Sequence, residues 1–266
     1  MGKEKIATYF QQIQANDQNL FVPYIVAGDG KDGVENLPER IKFLQDCGAA
    51  AIELGIPFSD PVADGPTIQR GGLRSLKSGT TLKKVLDVLV AGKETRDIPI
   101  VLMTYINPVF VFGIDKFAAE CERVGVDGII IPDLPLEEED LVAAALKRHS
   151  IAFIRLAALT STPDRLKKIA SRSEGFLYAV AVKGTTGVRA SHEDNISTYL
   201  NTLKQHSHVP VLAGFGVSNP EQAHELSSHC DGVIVGSKIV DLLHEGKNAE
   251  VRTLIEKSVT KKPSLA

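Results

Sequence analysis

Eight short runs of apolar, largely β-branched residues recur along this chain every few tens of residues, at 21–27, 49–54, 98–103, 128–131, 151–156, 176–182, 209–213 and 232–235. Each run is continuously apolar rather than alternating, which is how a strand covered on both faces reads. Between the runs lie stretches of helical period, such as Val34, Leu37, Ile41 and Leu44, or Leu82, Val85, Leu86 and Leu89. Others are Ile114, Phe117, Cys121 and Val124, and Ile196, Tyr199, Leu200 and Leu203. Each sets one apolar stripe on an otherwise polar helix. Weaker helical segments fit 137–148, 163–171, 219–227, 238–243 and 249–259. Strand and helix alternate throughout, which implies parallel pairing with right-handed crossovers. Eight such units predict an α/β protein of the closed (β/α)8 barrel type, the TIM barrel. An open doubly wound sheet shares the periodicity and stays as the alternative at this level.

A barrel of this kind takes roughly 250 residues, and the chain has 266. No linker or low-complexity stretch divides it, so one domain over 1–260 is expected, followed by a disordered tail at 261–266. Thirty basic residues against 33 acidic ones leave a net charge of −3, without the basic field that drives nucleic-acid binding. The polar start MGKEKIATYFQQIQAND lacks the apolar core of a signal peptide, and no apolar run reaches the roughly 18 residues of a membrane span. A cytoplasmic protein with no membrane partner is expected. Cys47, Cys121 and Cys230 are odd in number, far apart and outside any CxxC pair, as suits buried thiols in a reducing compartment. The seven histidines include no HxxxH pair with a nearby carboxylate, and GxSxG and GxxxxGK[ST] are both absent. No metal site is expected.

In such a barrel the chemistry sits where strands end and βα loops begin. The second run carries a single charge, Glu53, close to its C-terminal end and after Ala50, Ala51 and Ile52. Burial there raises a carboxyl pKa and leaves the group able to exchange protons near neutral pH. The plain alternative is a strand-tip carboxylate turned into solvent. The loop that follows, GIPFSDPVADGP, is stiffened by proline and holds Asp60 and Asp64. Asp64 is a candidate to face Glu53 across the mouth, but both aspartates also fit turn positions, and spacing alone does not separate them.

Glycine loops follow the last two strands: GFGVS at 214–218, and Gly236 with Ser237. Loops in these two positions, each opening a helix, form the usual phosphate site of barrels, because free N–H groups and the helix dipole converge on an anion. The loop KGTTGVR at 183–189 suits a lid over a phosphate ester, with a plain polar turn as the alternative. Lys183 sits in that loop beyond its strand, which argues against a Schiff base.

The segment AAIELGIPFSDPVADGPTIQ resembles the signature of the tryptophan synthase α subunit family. The likeness continues through FVPYIVAGD, MTYINPVFVFGI, GVDGIIIPDLP, KGTTGVR, GFGVSNPEQ and VGSKIV, over essentially the whole chain. It implies a (β/α)8 barrel and lyase that cleaves indole-3-glycerol phosphate by a retro-aldol reaction into indole and glyceraldehyde 3-phosphate. By motif position, it implies Glu53 as the acid/base at indole C3 and Asp64 as the partner of the indole N–H. Phosphate then falls to Gly187, Gly216, Gly236 and Ser237, with Thr186 in the lid. Tyr24, Met103, Ile130, Ile154 and Tyr178 match positions around the indole ring, and barrel core is the plain reading of all five. The resemblance also implies an αββα complex with a β subunit that carries the pyridoxal phosphate and receives the indole. The contact would run through the loop at 57–64 and around Asn107 and Pro108. The chain departs from the family pattern at IRLAALTST, where Ala158 and Leu159 replace an expected proline, and at Thr185, where valine is usual. These departures bear on the fifth loop and the lid. From the residues alone, another phosphate-handling barrel enzyme and a non-catalytic barrel subunit remain open.

Overall fold

The computed structural model describes residues 2–180 and 189–260, and within them the expected alternation closes into a barrel. The strands are β1 (Leu20–Val26), β2 (Ile52–Gly55), β3 (Ile100–Met103), β4 (Gly128–Ile130), β5 (Ala152–Phe153), β6 (Arg155–Ala158), β7 (Leu177–Val180), β8 (Val211–Gly214) and β9 (Gly232–Val235). The helices are α1 (Gly2–Ala15), α2 (Leu37–Asp46), α3 (Pro66–Lys77), α4 (Leu82–Ala91), α5 (Ile106–Phe112) and α6 (Ile114–Val124). They continue with α7 (Asp140–Arg148), α8 (Pro163–Arg172), α9 (Arg189–His206), α10 (Pro220–Ser227), α11 (Ser237–His244) and α12 (Asn248–Val259). The expected tail at 261–266 lies outside the described residues. Among those described, no helix is long and apolar enough to cross a membrane.

All pairings between strands are parallel, in the order β5-β4-β3-β2-β1-β9-β8-β7-β6. The fifth apolar run, expected as one strand, is two pieces with Ile154 between them. The reason is stagger: Ile154 still donates its N–H to Ile129 of β4 at 3.0 Å, whereas from Arg155 onward the pairing passes to Leu177 of β7. One stave thus serves its two neighbours at different heights, as a sheared barrel requires. The chain itself closes the ring through Ile154, and the open-sheet alternative falls.

Closure sorts side chains by parity. Ile25, Ile52, Leu54, Leu102 and Ile129 pack outward beneath the helices, while Leu20, Val22, Val101, Ile130, Ile154, Leu212 and Ile234 fill the interior. Helix α1, within a start that sequence showed only as polar, plugs the bottom of that interior with Ile6, Phe10 and Ile13. These positions share one helix face, and Phe10 stacks on Phe176 at 6.0 Å between centroids. Strand starts at this end are tied by side chains. Asp127 accepts the N–H of Ile100 at 2.9 Å, and Asp231 accepts that of Val211 at 2.8 Å.

Arg155, one of the departures in the fifth loop region, points outward. Its guanidinium lies over Phe153 and donates to Glu139 at 2.7 Å, while Arg172 holds the other oxygen of Glu139 at 2.6 Å. Strand β6 therefore carries its charge without opening the core. All three cysteines are buried and unpaired.

Phe10 is 1% exposed, so truncating it leaves a cavity at the barrel floor. Phe10→Ala is expected to lower stability by about 3–5 kcal/mol in urea unfolding; a loss under about 1 kcal/mol would mean that α1 is an appendage rather than a plug.

Candidate active site

The C-terminal ends of the strands form the mouth, and there the inward positions change character. Glu53 and Gly55 of β2, Met103 of β3, Tyr178 of β7 and Gly214 of β8 take inward positions there, with Gly236 just past β9. Glu53 lies in register with Tyr24 of β1 and Val101 of β3. Its residue exposure is 0%, and neither carboxyl oxygen has a hydrogen-bond partner. The alternative of a carboxylate turned into solvent is thereby excluded. Loss of water pushes its pKa from 4.5 up to about 8, with a further push from the negative charge of Asp64.

Asp64 reaches this position because the loop after β2 folds back in tight turns. Val62 donates its N–H to Asp60 O at 2.9 Å and Asp64 to Pro61 O at 3.1 Å, after which Gly65 and Pro66 open α3. Gln69 fixes the corner by donating to the Asp64 carbonyl at 2.9 Å. Partial burial raises the Asp64 carboxyl to about 6, and the nearby Tyr105 hydroxyl opposes that rise. Asp60 is exposed and accepts from its neighbour Ser59 at 2.5 Å. Geometry thus separates the two aspartates.

Three tyrosines surround the pair. Tyr24 and Tyr178 sit close enough for both carboxylates to raise their phenol pKa values beyond what burial does, so both stay neutral. Gly55 is required for this: a Cβ there would stand 2.0 Å from the Tyr24 hydroxyl oxygen. Tyr105, just past β3, is 3% exposed and was missed by sequence reasoning. Its signal was position alone, two residues beyond an apolar run and so in a βα loop.

The five residues aligned with the indole pocket divide by depth. Tyr24 and Met103 meet Ile68, Val26 and Val240 at the mouth. Met103 and half-buried Tyr178 border the interior cluster in which Ile130 and Ile154 are fully enclosed. On the opposite rim, Gly216 adopts φ +68°, where only glycine is unstrained. Gly236 caps α11, whose first N–H groups, from Ser237 onward, have no partner within the helix. A Cβ on Gly236 would stand 3.6 Å from that of Tyr24, so this cradle adjoins the acid pair's wall. Gly187, Thr186 and most of the expected lid loop lie outside the described residues. Among those described, no group of three or more His, Cys, Asp or Glu could hold a metal ion.

A closed (β/α)8 barrel with two carboxyls of raised pKa at its catalytic mouth defines a barrel enzyme equipped for acid/base chemistry. The family model of the tryptophan synthase alpha chain matches residues 10–264. The tryptophan synthase alpha chain of Oceanobacillus iheyensis is 58% identical over 262 residues, covering 98% of this chain and 99% of its own. A solved structure from Aquifex aeolicus superposes with a TM-score of 0.87 at 35% identity, covering 96% of this chain and 97% of that one. Tryptophan synthase from M. tuberculosis, in a ligand-free form, gives 0.85 at 32% identity, covering 96% and 97%. The chain belongs to the tryptophan synthase alpha chain family. It is a lyase that cleaves indole-3-glycerol phosphate.

The buried Glu53 has a measurable signature in stability. Above pH 4.5 the unfolded chain loses this proton, whereas the folded chain keeps it to about 8. Stability therefore falls as pH rises across that window, by up to about 1.4 kcal/mol per pH unit, and levels off above it. Glu53→Gln removes this slope: urea unfolding is expected to find the variant close to wild type at pH 4.5 and several kcal/mol more stable at pH 8.5. Parallel pH profiles for the two proteins would show that Glu53 is hydrated.

Proposed function

We propose that Glu53 and Asp64 divide the retro-aldol cleavage of indole-3-glycerol phosphate between them. The observation that carries this is the enclosed Glu53 carboxyl with neither oxygen paired. At neutral pH it holds its proton while Asp64 is largely ionised. Glu53 gives that proton to indole C3, and the charge that develops on the ring spreads to the ring nitrogen, whose N–H donates to the Asp64 carboxylate. Glu53, now an anion, takes the proton of the hydroxyl on the carbon next to C3. The carbon–carbon bond electrons return to the ring, and indole and glyceraldehyde 3-phosphate separate. The proton count closes without an added base, and the steps require no cofactor on this chain.

Gly216, Gly236, Ser237 and Gly187 take the phosphate through backbone N–H groups and the dipole of α11, with Thr186 in the closing loop. Tyr24, Met103, Ile130, Ile154 and Tyr178 wall the indole, which suits a flat apolar ring with one N–H to satisfy. Partnership with a β subunit in an αββα assembly, by way of the 57–64 loop and the stretch around Asn107 and Pro108, gives the released indole its destination. Val62 and Val111, 80% and 83% exposed, lie in or close to these two segments and suit such a contact. Pyridoxal phosphate belongs to that partner, and the setting is the cytoplasm.

Indole release from the purified chain tests the assignment. The kcat/KM of wild type is expected to be bell-shaped, falling below about 6 as Asp64 takes a proton and above about 8 as Glu53 loses one. Glu53→Gln should cost roughly 10²- to 10⁴-fold at every pH. Asp64→Asn should abolish the acid limb and draw the alkaline limb downward, since the repulsion that raises Glu53 is gone. Full activity in Glu53→Gln sinks the mechanism. For the cradle, Ser237→Asp is expected to raise KM about tenfold or more with kcat nearly kept, the pattern of lost uniform binding; an unchanged KM removes α11 from phosphate binding.

A further inference from the structure

Helix α3 begins at Pro66, just past Asp64, so the seat of α3 sets where that carboxyl lies. Its inner face, Ile68, Gly71 and Ser75, repeats at helical spacing and rests on the first βα loop, just past β1. Ser75 donates its hydroxyl to the Ala27 carbonyl, and Arg74 sets its guanidinium on the Asp29 carboxylate with two hydrogen bonds of 2.7 Å. From the other side, Arg40 of α2 donates to the Asp29 carbonyl. A Cβ on Gly71 would stand 2.9 Å from an Asp29 carboxyl oxygen and 3.4 Å from Val240 of α11, so α3 lies flush against both.

We infer that Asp29 is a positioning residue for the known reaction, seating α3 through Arg74 and so fixing Asp64 at the barrel mouth. The inference rests on the reading of Asp64 as the partner of the indole N–H. Asp29 is 4% exposed, and a carboxylate that deep is costly unless paired. A buried ion pair adds little net stability over apolar packing, but the guanidinium fork fixes direction. Between Pro66 and Arg74 the helix rises about 12 Å. That length of unbroken α3 acts as a rigid arm between the pair and the turn that carries Asp64.

The other contacts of α3 do not fix it in this way. Ile68 packs among Tyr24, Val26 and Val240, and apolar contact has no direction of its own. Toward α11, Thr67 donates to Asp241 at a long 3.4 Å, and Arg70 stands 4.0 Å from the same carboxylate, both at half-exposed or exposed positions. Among the described residues, the buried groups that hold α3 by direction are the Ala27 carbonyl and Asp29, and of the two Asp29 alone carries charge.

Asp29→Asn and Arg74→Met in the full chain are the test, because each breaks the pair at nearly constant volume. Both are expected to lower kcat about tenfold while KM for indole-3-glycerol phosphate stays within about threefold. The double variant should be no worse than the poorer single one, since both lose the same contact. Once displaced, Asp64 gains water, so its carboxyl, raised to about 6 in the wild type, should titrate lower by about half a pH unit or more in both variants. NMR of ¹³C-aspartate protein without substrate reads this. Charge alone would move the resonance in opposite directions, down on loss of Asp29 and up on loss of Arg74. Arg74→Lys keeps the charge without the fork and should fall between wild type and Arg74→Met; it supplies the same readouts if the latter does not fold. Opposite shifts, an unmoved resonance, wild-type kcat in both single variants, or multiplied losses in the double variant would overturn the inference. If the titration falls in both variants while Asp64→Asn keeps full activity, the clamp stands and the catalytic reading of Asp64 falls.

Discussion

A carboxyl sealed inside an apolar barrel with neither oxygen paired is the constraint on which the rest of this structure depends. Retaining the Glu53 proton up to about 8 means that at neutral pH the folded state works against the ordinary ionisation of a glutamate. That opposition must be met by burial elsewhere. The closed sheet supplies it, with one apolar layer inside the ring and another between ring and helices. Closure also keeps water from Glu53, since an open sheet edge beside β2 would hydrate the carboxyl and return it toward 4.5.

The two ends of the barrel are built for different tasks. At the bottom, Phe10 stacks on Phe176, Asp127 and Asp231 tie strand starts, and Arg96 donates to the carbonyls of Leu89, Val124 and Gly125. These contacts pair buried polar groups, although the Nε of Arg96 has no partner, and paired polar groups are what stability requires. At the top, Glu53 is left unpaired, Gly55 gives up its side chain so that Tyr24 can cross it, and Gly216 holds a positive φ. These are local sacrifices of stability placed where reactivity is needed.

The legible part of the fold was the part written as periodicity. Continuous apolar runs marked the staves and 3.6-residue stripes marked most outer helices, because those patterns record burial on two faces or on one. Helix α1 escaped: its stripe of Ile6, Phe10 and Ile13 is thin and sits in a polar segment, and it becomes apolar surface only against the barrel floor. The break at Ile154 escaped for a different reason, since stagger is a property of the closed ring and leaves no mark on a single strand's composition. In the site, Glu53 stood out as a lone charge in an apolar run. Tyr105 did not, since a tyrosine after a strand is ordinary until the N–H of Ala63, next to Asp64, is seen to donate to its hydroxyl.

By itself the sequence determined that strand would alternate with helix, that the strands would be parallel and doubly covered, and that an acid would sit at the end of the second. Its motifs also tied it to one family, whose model spans residues 10–264. Only the tertiary structure decided that the ring closes, that Asp64 and not Asp60 turns inward, and that the loop carrying Asp64 is pinned to a phenol from the neighbouring loop. The division has a physical cause. Periodicity is set by which face of a segment is buried, and each segment records that locally. A pKa near 8 or 6, by contrast, is set by water excluded and charges brought close by residues distant along the chain, and no segment contains that alone.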